Sequence, residues 1–153
     1  MGNEVFTRLA ELGLTIPPVV PPVAAYVPAL QTGNHVYVSG QLPMVDGKLA
    51  AVGLVGQDVT AEQAKDLARQ AGLNALAAVH ALVGLDKVVK VVKIVGFVAS
   101  APGFVGQPGV VNGASELFGE VFGEAGKHAR SAVGVSALPL NTPVEVEAIF
   151  EVA

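Results

Sequence analysis

No cysteine occurs in the chain, so it holds no disulfide, no thiolate metal ligand and no thiol nucleophile. Charge is scarce as well. Asp, Glu, Lys and Arg make up 14% of the 153 residues, against about 25% in an average globular domain. The charges that remain sum to −4, which disfavours a broad nucleic-acid surface. Aromatic residues, at 5%, are too few for a base-stacking platform. Two stretches, 12–45 and 94–115, carry no Asp, Glu, Lys or Arg. Neither reads as a membrane helix, which needs about 20 continuous apolar residues. Pro17, Pro18, Pro21, Pro22 and Pro28 interrupt the first; Gly96, Pro102, Gly103, Gly106 and Pro108 interrupt the second. Glu4, Arg8 and Glu11 break any N-terminal signal pattern. No membrane association and a cytoplasmic location are therefore expected.

What is present is apolar. Hydrophobic residues reach 52% and mean hydropathy is +0.56. A single domain over 1–153 is long enough for a core of its own. So much apolar surface predicts that part of it is buried between subunits.

Periodicity places the elements. Asn3 to Leu12 has helical spacing at Phe6, Leu9, Ala10 and Leu12, and a proline-rich connector reaches Pro22. Tyr26–Leu30 and His35–Ser39 read as strands about a Gly33-Asn34 turn. Thr60-Ala61-Glu62-Gln63 fits a capping box that opens a helix running to about Val83, with Gly84 as its stop. Val88–Val98 is β-branched and almost continuously apolar, as in a strand covered on both faces. A Gly/Pro loop spans 99–109, a helix follows over Val110–Gly123, and strands follow at Ser131–Leu138 and Val144–Val152. The order strand-strand-helix-strand-helix-strand-strand predicts an α+β domain, with two helices on one face of a mixed sheet.

The chemistry concentrates near the end of the chain. Arg130 stands alone at the mouth of an apolar strand, and its planar fork of donors matches a carboxylate. On the last strand Glu145 and Glu147 alternate with Val144, Val146 and Ala148. A solvated polar face and a structural arginine explain these residues plainly; a site in which Arg130 holds a small acid and Glu145 acts on it is the sharper reading. If 131–138 and 144–152 pair as a hairpin, Arg130 and Glu145 lie roughly 23 Å apart at about 3.3 Å per residue. A shared site would then fall between two subunits. His35, His80 and His128 are isolated, with no metal spacing between them. No Gly-x-Ser-x-Gly elbow occurs, and no Walker lysine follows Gly103–Gly109.

At these residues the chain resembles the Rid family, also called YjgF or L-PSP. The resemblance runs from about Tyr26 to Val152. It rests on Asn34-His35-Val36-Tyr37-Val38-Ser39-Gly40-Gln41-Leu42-Pro43, on the long helix before the valine-rich strand, and on Ala129-Arg130-Ser131 through Leu138-Pro139 to Glu145-Val146-Glu147-Ala148. The N-terminal helix and the 99–109 loop are similar to a longer branch of the family. The resemblance implies a chorismate-mutase-like fold, a homotrimer with three inter-subunit clefts, and hydrolysis of reactive enamines and imines made from amino acids. It assigns Arg130 to the substrate carboxylate and Glu145 to the attacking water. Tyr26, Ser39 and Gly40 become cleft-lining residues, and Asn112 a further polar one. Ala132, also at the site, stands where many relatives carry cysteine, and Ala25-Tyr26-Val27-Pro28 lacks the usual polar residues after the tyrosine. No metal and no organic cofactor are implied. Three functions follow as alternatives: a deaminase of 2-imino or 2-enamino acids, a non-catalytic module that binds or senses a small carboxylate, and an endoribonuclease.

Overall fold

The computed structural model describes residues 2–153, with side chains from Glu4 onward. Among the described residues three α-helices and seven strands form an α+β fold. Helix α1 (Gly2–Glu11) precedes an extended proline-rich segment. Strands β1 (Ala29–Thr32) and β2 (His35–Gln41) form a hairpin about Gly33, and a small second hairpin joins β3 (Met44–Val45) to β4 (Lys48–Leu49). Helix α2 (Ala61–Val83) leads to β5 (Val88–Ala99), and helix α3 (Gln107–Phe122) to β6 (Ala129–Val135). Strand β7 (Val144–Val152) ends the fold.

The five-stranded sheet runs β1-β2-β7-β5-β6, with β5 and β6 parallel and every other pair antiparallel. The hairpin weighed for the last two strands does not form. Strand β6 pairs with β5, on the side away from β7, and does not pair with β7. The unit β5-α3-β6 is a crossover, the connection that parallel neighbours require. The link from β6 to β7 then carries the chain across β5, and Leu140 and Asn141 both adopt positive φ there, at 57° and 60°.

Helices α2 and α3 cover one face of the sheet, as expected, and α1 is a third helix against α3, with Val5 and Leu9 buried in the same core. Thr60 caps α2 through the reciprocal bonds of a capping box: Gln63 N donates to Thr60 Oγ1 at 3.1 Å, and Thr60 N donates to Gln63 Oε1 at 2.9 Å. The alanine-rich inner stripe of α2 lets α3 approach so closely that a Cβ on Gly113 would overlap the Lys65 carbonyl oxygen. Phe118, Phe122 and Phe150 close the centre with ring centroids 5.6–6.3 Å apart. Helix α3 starts earlier than its periodicity suggested, at Gln107, because Gly106 and Pro108 occupy its N-cap and first turn, where neither breaks a helix. Among the described residues no helix is long and apolar enough to cross a membrane.

None of the described helices covers the other face of the sheet. On it Leu30, Tyr37 and Val133 are exposed, and Val95, Phe97 and Ile149 are half-buried. The sequence expectation that β5 is covered on both faces therefore holds, within one chain, only for the helix side. Glu145, Glu147 and Glu151 line the same open face along β7, the middle strand.

Candidate active site

Strand β2 bulges between Val38 and Gln41: three residue steps on β2 match two on β7, from Ala148 to Val146. Ser39 and Gly40 occupy the bulge. It turns Gly40 onto the Glu145 side chain, and a Cβ at Gly40 would overlap Glu145 Oε2. Only glycine leaves that room. Gln41, next in line, is buried, and its Nε2 donates to the Ser39 carbonyl at 3.1 Å, which pins the bulge.

Glu145 is half-buried, and among the described residues no cation lies within ion-pair distance of it. Burial first, and the Glu147 carboxylate second, push its pKa above the ordinary value of 4.5. A carboxyl group raised this way can hold or release a proton nearer neutrality.

Tyr26 lies in the connector before β1, three residues short of the strand that the sequence placed it in. It shares a cleft with Val20, Pro22, Gly40 and Gln41. Its hydroxyl accepts a bond from Val23 N at 3.3 Å. Ser39 ties the connector to the bulge: Ser39 Oγ donates to the Val27 carbonyl at 2.6 Å, and Ser39 N donates to the Pro28 carbonyl at 2.9 Å. Tyr26, Ser39, Gly40 and Glu145 thus form one neighbourhood.

Arg130 belongs to a second neighbourhood. It pairs with Ile94 in register and shares the helix face with it. Helix α3 crosses above, and its side chains hold the guanidinium. Arg130 Nη1 donates to Asn112 Oδ1 at 2.7 Å and to Ser115 Oγ at 3.2 Å, and Nη2 donates to the Pro108 carbonyl at 3.3 Å. Residues 108, 112 and 115 recur at the spacing that shares one helix face. Ala132, two residues along β6, packs against the core beneath α3. Among the described residues the ion pairs are Glu4–Arg8, Lys65–Glu116, Arg69–Glu120 and Glu124–Lys127, and none includes Arg130. Its charge is oriented but not cancelled.

Within one chain the two neighbourhoods do not meet. Ile94 pairs with both Arg130 and Ala148 on the helix face, whereas Glu145 pairs with Phe97 on the open face. Two strand spacings and three residues separate them, roughly 14 Å between Cα atoms. This replaces the roughly 23 Å that a hairpin of the last two strands would have given, and the stronger obstacle is that the two side chains leave opposite faces. Among the described residues no three His, Cys, Asp or Glu side chains converge to hold a metal ion.

This arrangement of bulge, mixed sheet and paired helices has a family behind it. A family model described as "YjgF/chorismate_mutase-like, putative endoribonuclease" matches residues 6–152. The chain belongs to the YjgF, or Rid, family. It is 41% identical to Protein TCP17 of Trypanosoma cruzi over 152 residues, covering 98% of this chain and 95% of that protein. The crystal structure of Atu1372 from Agrobacterium tumefaciens superposes with a TM-score of 0.92 at 48% identity, covering 99% of this chain and 94% of that one. A "putative endoribonuclease" from Shewanella oneidensis gives 0.93 at 32% identity, covering 97% and 99%. The matched span takes in the later part of α1 and the proline-rich connector.

Sequence reasoning missed Ser115, the Pro108 carbonyl and the Gln41 clamp. Asn112 and Ser115 are spaced by three on a helix that faces Arg130, and that spacing was the available signal. A backbone carbonyl leaves none.

Proposed function

We propose that this Rid-family protein hydrolyses reactive 2-imino or 2-enamino acids to 2-oxo acids and ammonia, in clefts between the subunits of a homotrimer. Arg130 of one subunit grips the substrate carboxylate. Glu145, with Gly40, Ser39 and Tyr26, comes from the neighbouring subunit, because one chain presents the two on opposite faces. The Glu145 carboxylate takes a proton from water as the oxygen bonds to the C=N carbon. It returns that proton to nitrogen, giving a carbinolamine, and then relays the hydroxyl proton to the nitrogen as the C–N bond breaks, so that ammonia leaves and the carbonyl forms; a 2-enamino acid enters this path as its imine tautomer. Nothing in this sequence of steps calls for a metal or an organic cofactor.

The observation that carries the reading is Glu145: a half-buried carboxylate, raised in pKa, set against a glycine that makes space beside it. A simple carboxylate receptor has no use for it. The competing reading, a binding module without chemistry, is favoured by Ser39 and Tyr26, whose hydroxyls are engaged with the connector. The row of carboxylates along β7 weighs against an RNA backbone on the open face. The deciding experiment measures ammonia release from an imine generated in situ from an amino acid. A deaminase accelerates release over buffer and Glu145→Gln lowers turnover by about 10²–10⁴-fold, while Glu147→Gln retains it. Wild-type protein that gives no acceleration with any imine tried would leave only the binding reading.

A further inference from the structure

A guanidinium carries five N–H donors, and Arg130 commits three of them to α3. Two remain, on Nε and Nη2, enough for the two oxygens of a carboxylate. All three acceptors are neutral: an amide oxygen, a hydroxyl and a backbone carbonyl. They fix the plane of the group and leave its charge whole for an incoming anion. A carboxylate in any of their places would have consumed it.

We propose that Ser115 is a positioning residue for substrate binding, acting through Arg130 and not through the substrate. This inference rests on the reading of Arg130 as the carboxylate grip. The bond from Asn112 alone lets the guanidinium pivot about Nη1. Ser115, one turn further along α3, accepts from the same nitrogen, and Pro108, one turn back, accepts from Nη2. Three points define the plane. Arginine otherwise loses much rotamer freedom on gripping a ligand, and the cradle removes that freedom beforehand. Because the cradle belongs to α3 and the arginine to β6, the grip is set by the packing of the crossover unit and survives at an otherwise unsupported sheet edge.

The test uses four variants and two readouts besides turnover. Affinity for pyruvate, the smallest 2-oxo acid, is measured by calorimetry, and KM and kcat by imine hydrolysis. Ser115→Ala should weaken pyruvate binding and raise KM by about 3–10-fold, the net worth of one ordinary hydrogen bond. Its kcat should stay within about twofold, because the lost bond acts before the chemical step. Its melting temperature should not move, since Ser115 is half-buried at a helix surface. Ser115→Thr keeps the hydroxyl and should restore affinity. Ser115→Asp should lose affinity more than Ser115→Ala, with no fall in melting temperature, because a new carboxylate occupies Arg130. Wild-type affinity in Ser115→Ala, or no recovery in Ser115→Thr, would overturn the role of Ser115. Arg130→Ala is the control that separates the two readings: if it alone loses pyruvate, the carboxylate grip stands and the positioning role falls, and if it keeps pyruvate, both fall.

Discussion

Glu145 is the residue at which stability and chemistry pull in opposite directions. Its folded-state pKa lies above 4.5, chiefly through burial. Above that pH the folded state holds more protons than the unfolded state, so the contribution of Glu145 to stability falls as pH rises through the raised pKa. Glu145→Gln should therefore melt at a higher temperature than the wild type near pH 7. The gain should fade as the pH is lowered below 4.5, where both states are protonated. Scanning calorimetry across that range checks it, and a gain that grows toward acid pH would contradict the sign. Gly40 makes the complementary point. A methyl group there overlaps the Glu145 carboxylate. Gly40→Ala should lower imine turnover by about 10²-fold through misplacement of that carboxylate, with circular dichroism unchanged. Equal activity would mean that Glu145 works in another rotamer than the one described.

At the level of elements, the tightest approach to main chain among the described glycines is between α2 and α3. Gly113 sits where a Cβ meets the Lys65 carbonyl oxygen and lies 3.0 Å from Arg69 N. Alanine in a helix gains about 1 kcal/mol over glycine. Forcing two backbones apart costs about 1–3 kcal/mol or more. The second effect wins, because the obstacle is main chain and not the end of a flexible side chain. Gly113→Ala should lower the melting temperature by roughly 2–8 °C; a rise would show that the helices part cheaply. How legible each element was follows the same logic of local and non-local cause. The capping box at Thr60 and the stop at Gly84 are written in adjacent residues, and α2 lies where they place it. The partner of β6 is written nowhere near β6. Residues 139–143 look like a hairpin loop in composition, yet the intervening strand β5 and the crossover helix decide that β6 and β7 never pair. Arg130 could be picked out as a lone charge among apolar neighbours, and Glu145 as one of the carboxylates alternating along the last strand, chosen over Glu147 by the family resemblance. The face on which each emerges depends on that pairing, and so does Ser115, an unremarked serine until α3 is laid over β6.

For the whole molecule the open sheet face is the dominant fact. Leu30, Tyr37, Val95, Phe97, Val133 and Ile149 form an apolar field around the β7 carboxylates, with the helices all on the other side. A face of this kind calls for a second protein surface. Light scattering of the purified protein should give a species close to three times the 15.5 kDa chain. A persistent monomer at micromolar concentration would remove the shared cleft and the function proposed for it.

The opposite exits of Arg130 and Glu145 have a consequence best put in the language of genetic complementation. If each working centre takes its arginine from one chain and its glutamate from the next, neither lesion is confined to the polypeptide that carries it. Arg130→Ala and Glu145→Gln, each inactive alone, should rescue one another once their subunits are unfolded together and reassembled. In randomly mixed rings of equal stoichiometry, about a quarter of the centres would combine an intact arginine with an intact glutamate, and turnover should return to about that share of the wild-type value. Centres built within single chains would return nothing, however thoroughly the subunits were shuffled.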